Sequence, residues 1–196
     1  MNLTKLLYLH GFRSSPGSAK ARRMAVWAAQ QTGLTFACPQ LPPSPLEAMA
    51  LVADIVAGWP AEGSAVIGSS LGGFYATALA EQPAHRRWRV AVLNPAINPA
   101  RDLSTQLGEL TAWHDPTLKF DFTAQHVAEL AALTPPARLT NPARYYALIA
   151  KGDELLDWRE MLGRYAGCDG EVIEGSDHGL TDFEDHLAGV VEHLSR

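Results

Sequence analysis

Short apolar runs recur at residues 3–9, 34–37, 64–68, 89–93, 144–150 and 171–173, and the stretches between them carry helical patterns. This alternation constrains the fold more than any other feature. A helix between successive strands crosses the sheet instead of turning back in a hairpin, so the strands run parallel. The runs are apolar at most positions rather than at alternate ones, as strands covered on both faces must be.

The intervening segments have recognisable ends. A helix is expected over 17–31, with Gly33 beyond it, and another over 44–58, with Ser44 as N-cap and Pro45 in its first position. Further helices are expected over 71–82, 157–166 and 181–194, while the P-Q-L-P-P-S-P stretch at 39–45 is a rigid extended loop. Residues 97–142 break the pattern. They are proline-rich, hold helical candidates near 101–110 and 123–133, and show no clear strand. They predict a small helical, lid-like insertion in one domain spanning 1–196.

Right-handed crossovers bring the carboxyl ends of all the strands to one edge, where such sheets bind ligands. The chemically suggestive residues lie there: His10 and Gly11 after the first strand, Gly68 to Gly72 after the third, Gly152 and Asp153 after the fifth, Asp177 and His178 after the sixth.

Composition narrows the class. A formal charge of −5 argues against a nucleic-acid binder, and the basic cluster Arg13, Lys20, Arg22 and Arg23 reads as a solvated helix face. There is no G-x-G-x-x-G after the first strand and no P-loop lysine, which argues against a nucleotide binder. Two cysteines without metal spacing, no run long enough to span a membrane and no secretory N-terminus suggest a cytoplasmic protein.

The segment G-S-S-L-G at 68–72 fits G-x-S-x-G with Ser70 at its centre. A nucleophile on a sharp strand-to-helix turn needs small residues two positions to either side, and Gly68 and Gly72 supply them. Centring on Ser69 would put Ile67 and Leu71 there. A serine needs a base, and the base needs an orienting acid. With the order Ser, acid, His, only His178, His186 and His193 come late enough. His178 follows a strand, whereas His186 and His193 fall on the last helix and are expected to face solvent. Asp153 is the first choice of acid. Asp157 is the fallback, with an N-cap role otherwise, and Asp177 reads as a turn carboxylate.

The oxyanion donors are expected to be the N–H of Leu71 and that of Phe12, with Arg13 as runner-up. His10 precedes the serine and reads as structural, and Ser14 and Ser15 as helix caps. Trp113, Phe120 and Phe122 either line an apolar acyl pocket, with Arg13 at its mouth, or pack the insertion onto the sheet.

At these residues the chain resembles the α/β-hydrolases, and more narrowly the small YqiA-like esterases of bacteria. The resemblance rests on 7–21, 39–45, I-G-S-S-L-G-G-F-Y-A-T at 67–77, L-N-P-A at 93–96, G-D-E-L-L-D at 152–157, V-I-E-G-S-D-H at 172–178 and T-D-F-E-D-H at 181–186. It implies a three-layer sandwich whose six-stranded parallel sheet has the order 2-1-3-4-5-6. It also implies a triad of Ser70, Asp153 and His178, and hydrolysis of small-molecule carboxylic esters or acyl-CoA thioesters. Such chemistry needs no metal and no organic cofactor. A different class, a hydrolase-like module that only binds, is the competing expectation. Arg13 stands where the family usually has a small polar residue, and 97–142 does not match convincingly.

Overall fold

The structure is a computed structural model that describes residues 3–196. Its core is a six-stranded sheet built from β1 (Lys5–Leu9), β2 (Thr35–Ala37), β3 (Ser64–Ser69), β4 (Arg89–Leu93), β7 (Tyr145–Ala150) and β8 (Asp169–Ile173). The order is β2-β1-β3-β4-β7-β8 and every pairing is parallel. This is the α/β-hydrolase arrangement expected from the sequence.

Alternation along each strand divides the core in two. Leu7, Leu9, Val66, Val90, Val92 and Ile149 pack with α2 (Pro45–Val56), α3 (Leu71–Ala80), α5 (Ala124–Ala132) and α6 (Trp158–Arg164). Leu6, Tyr8, Ile67, Ala91, Leu93 and Leu148 pack against α1 (Ala19–Ala29) and α7 (Phe183–Ser195). Both faces of the inner strands β1, β3, β4 and β7 are therefore dry, which is why these contain so few polar residues, while the edge strands β2 and β8 are more exposed. Ser44 caps α2 as expected, its hydroxyl accepting from Glu47 N–H at 3.2 Å. Among the described residues no helix is long and apolar enough to cross a membrane.

The register aligns the strand ends that matter. Leu9 pairs with Gly68, Ser69 with Leu93, Leu93 with Leu148 and Ala150 with Ile173. The loops after β1, β3, β4, β7 and β8 thus leave the sheet side by side.

The insertion between β4 and β7 differs from its expected helical form. Only α4 (Pro99–Asp102) and α5 are helical, and the candidate at 101–110 stops after one turn. In its place β5 (Gly108–Thr111) and β6 (Lys119–Phe122) form an antiparallel hairpin with Leu110 opposite Phe120. K-F-D-F alternates with the period of a strand, and Asp115 Oδ1 accepts from Thr117 N–H at 2.9 Å in the turn. Four-residue strands carry too little pattern to override the helical tendency of their neighbours.

Candidate active site

β3 ends at Ser69 and α3 begins at Leu71, so Ser70 alone makes the turn, at φ 55° and ψ −120°. For a residue with a Cβ this conformation costs on the order of 1–3 kcal/mol. Three backbone hydrogen bonds hold it: Ser70 N–H donates to Leu93 O, while Gly73 and Ala96 N–H donate to Ser70 O, at 2.9–3.0 Å. The flanking glycines are required by contact. A Cβ on Gly68 would lie 2.1 Å from Gly72 O, and one on Gly72 would lie 2.0 Å from Leu9 O. The neighbouring Ser69 is a buried strand residue.

His178 Nε2 lies 3.0 Å from Ser70 Oγ, and its Nδ1 lies 2.8 Å from Asp153 Oδ2. The second Asp153 oxygen accepts from Leu155 and Leu156 N–H, both at 2.9 Å, which fixes the carboxylate plane. The Asp153 side chain is fully buried while His178 keeps 18% exposure, so the far side of the relay is dry and its serine end is open. With Nδ1–H donating to a carboxylate, Nε2 is left as an acceptor for the serine hydroxyl.

Three further residues hold this geometry; the sequence reading placed Gly152 at the carboxyl edge but singled out neither Asn94 nor Glu154. Asn94, fully buried at φ 41°, donates from Nδ2 to the carbonyls of Asp177 and His178 at 3.0 and 3.3 Å and accepts from Ala150 N–H at 2.8 Å. It joins the end of β4 to the end of β7 and to the histidine loop. Glu154 Oε2 accepts from His178 N–H at 2.9 Å. Gly152 lets the aspartate and histidine loops touch, since a Cβ there would lie 2.2 Å from Ser176 O. An asparagine directly after an apolar strand run, a residue type enriched in the left-handed region, is the one local signal that could have marked Asn94.

Residues 5–195 match the profile of the uncharacterised protein family UPF0227. The chain belongs to this family. Solved structures share the fold of this UPF0227 chain at low identity. A putative hydrolase from Agrobacterium vitis is 16% identical with a TM-score of 0.77, over 98% of this chain and 88% of that one. A metagenome-derived lipolytic enzyme is 18% identical (TM-score 0.70; 98% and 94% covered), and a monoacylglycerol lipase from Paleococcus ferrophilus is 17% identical (TM-score 0.69; 97% and 93%).

Around the relay of the UPF0227 chain lie two cavities that share the loop 10–14 as a wall. One, of about 540 Å³, opens on Ser70 and His178 and is also lined by Phe12, Arg13, Trp113 and Leu156. The other, of about 430 Å³, is lined by Leu41, Pro42, Leu71, Tyr75, Leu118 and Phe120. Trp113 and Phe120 thus border different cavities. Phe122 borders neither: it is 1% exposed and packs edge-on against Phe12 with ring centroids 5.0 Å apart. Arg13, at φ 58°, is a clamp. Its guanidinium donates to Thr111 O at 2.6 Å and lies 3.9 Å from the centre of the Trp113 ring, and its carbonyl accepts from Trp113 N–H at 2.8 Å.

The remaining candidates are structural. His10 Nδ1 bonds Gly11 O and its Nε2 accepts from Leu41 N–H at 3.1 Å, which ties the loop after β1 to the proline-rich loop. Asp157 caps α6 and Asp177 accepts from Thr181. Ser15 Oγ accepts from Gly17 N–H at 3.1 Å, and the N-cap position of α1 belongs to Ser18. Two expectations need correction. His186 and His193 do not face solvent: His186 pairs with Glu171, and His193 is fully buried against Arg144 O, because α7 packs its histidine side onto β7 and β8. Lys20 is not on a solvated face either, for it lines the cavity of Ser70.

Proposed function

We propose that the protein hydrolyses carboxylic esters through an acyl-enzyme on Ser70. The observation that carries this reading is the hydrogen-bonded relay Ser70–His178–Asp153, anchored on a strained elbow at the mouth of a cavity.

Ser70 Oγ attacks the acyl carbon while His178 Nε2 takes its proton. The carbonyl π pair moves onto oxygen, held by the N–H of Leu71 and of Phe12 and favoured by the N-terminus of α3. Asp153 keeps the imidazole in its tautomer and stabilises the imidazolium. The tetrahedral centre collapses, the leaving oxygen takes the proton from His178, and the acyl group stays on Ser70. A water then gives its proton to His178 and attacks the same carbon. Collapse breaks the Ser70 ester, releases the acid and returns the proton to Ser70. The partial exposure of the His178 side chain and the dry Asp153 suit both halves of this cycle.

A fluorophosphonate probe read by mass spectrometry, with a 4-nitrophenyl ester assay, tests the reading. Ser70→Ala is expected to lose both the adduct and roughly 10⁴-fold or more of kcat, while Ser69→Ala keeps both. Folded protein without an adduct on Ser70 would turn the reading toward a binding module. A panel of 4-nitrophenyl esters and acyl-CoAs separates ester from thioester turnover, since the triad serves either.

A further inference from the structure

Two unlike sets of residues line the cavity of Ser70. Leu103, Trp113, Leu155 and Leu156 are apolar, whereas Tyr8, Ser18, Lys20 and Ser69 are polar; Asp102, whose carboxylate is paired with Arg101, and Gln106 also line the cavity. The second set comes from β1, the start of α1 and the end of β3, and the proposed cycle uses none of it.

Three of its members, Tyr8, Ser18 and Lys20, have fewer polar partners than their chemistry allows. The Tyr8 hydroxyl is buried and makes no hydrogen bond, although Ser69 is its polar neighbour. Burial pushes its pKa up, so it stays a neutral donor. Leaving such a group unmatched costs on the order of 1–3 kcal/mol. The Lys20 ammonium donates to Gly179 O and to no other described residue. Burial draws its pKa down to about 8, with Asp177 and Asp153 opposing that shift. The oxygens of those two carboxylates are already engaged, by Thr181 in one case and by His178, Leu155 and Leu156 in the other. Ser18 sits at the N-cap of the eleven-residue α1, yet its side chain does not cap the helix and the first turn holds no acidic residue. The positive end of that helix is therefore uncompensated.

From this juxtaposition we infer that the cavity contains, beside the nucleophile, a recognition site for an anionic oxygen group of the substrate, a carboxylate or a phosphate near the scissile ester. Lys20 supplies the charge, and Tyr8 and Ser18 supply neutral donors. The apolar set receives the rest of the substrate. This rests on the esterase reading and adds to it the class of ester.

Two pairs of esters test it. Mono-4-nitrophenyl glutarate is compared with its methyl ester, and 4-acetoxyphenyl phosphate with phenyl acetate. The first pair carries a carboxylate on the acyl side and the second a phosphate on the leaving side. The readout is the anionic-to-neutral ratio of kcat/KM, set against the wild-type ratio so that intrinsic reactivity cancels. In at least one pair, Lys20→Met is expected to lower the ratio about tenfold or more and Tyr8→Phe severalfold, whereas Lys20→Arg retains it. Lys5→Met removes the same charge at the start of β1, beside Thr35, and is expected to leave the ratio unchanged.

If Lys20→Met slows both members of each pair equally, Lys20 is only a strut for the Gly179 loop and the inference is overturned. A ratio that falls as much in Lys5→Met makes it a long-range charge effect and overturns it too. Hydrolysis of neutral esters with no ratio change removes this site and leaves the esterase reading standing. If no ester is cleaved, that reading falls and takes the inference with it.

Discussion

Ser70 and Asn94 are both non-glycine residues in the left-handed region, each one step beyond a strand end. Ser70 was legible because its motif is local: the two glycines, the strand before and the helix after lie within ten residues of it. Asn94 was not, because its partners are backbone atoms of residues 150, 177 and 178, which only the folded sheet brings to it. Its contribution separates by substitution. Asn94→Asp keeps the acceptor for Ala150 N–H but opposes two carbonyls with a third oxygen, so it disturbs the histidine loop more than the sheet. We expect kcat on a 4-nitrophenyl ester to fall by about a hundredfold, with KM near its wild-type value, as displacement of His178 by an ångström would cause. A fall in melting temperature with unchanged kcat would make Asn94 a merely structural residue.

At the scale of elements, α3 crosses the sheet close to β1, and Gly72 is what allows it. Gly72→Ala drives a Cβ against Leu9 O, whereas Gly163, in the last turn of α6, has open space around it. Gly72→Ala is expected to cost about 3 kcal/mol or more in denaturant unfolding and to abolish labelling of Ser70. Gly163→Ala is expected to gain roughly 0.5–1 kcal/mol with labelling intact. A stable, reactive Gly72→Ala protein would refute the close-packed elbow. The hairpin of β5 and β6 lies at the other end of legibility. Phe120 and Phe122 stabilise it by packing on Phe12, and Arg13 holds Thr111 from across the chain. Neither partner is within reach in sequence, so a local pattern could not distinguish this segment from a helix.

Across the whole molecule, a buried ion pair joins parts that no motif marks. Arg144 and Glu81 meet at 2.6 Å with side chains 4% and 2% exposed, and Arg144 also donates to the carbonyls of Ala80 and His85. The Tyr145 hydroxyl and the Thr140 N–H also donate to the Glu81 carboxylate. The network fastens the end of α3 to the start of β7, far from the cavity. Arg144→Met strands a buried carboxylate and is expected to cost about 3–5 kcal/mol in urea unfolding while Ser70 still labels under native conditions. A loss below about 1 kcal/mol would show the pair to be dispensable. The sheet and its chirality followed from the sequence alone, because alternating apolar runs and helices admit one handed way to close a parallel sheet. Order and spacing also nominated Ser70, His178 and Asp153, with Asp157 as the fallback acid, and the structure brings the first three within hydrogen-bond reach of one another. The tertiary structure alone decided that Lys20 and Tyr8 enter the cavity, that His193 is buried and that the insertion is a hairpin. Those outcomes depend on which surfaces meet across long stretches of chain, and burial between distant elements leaves no periodic mark on either one.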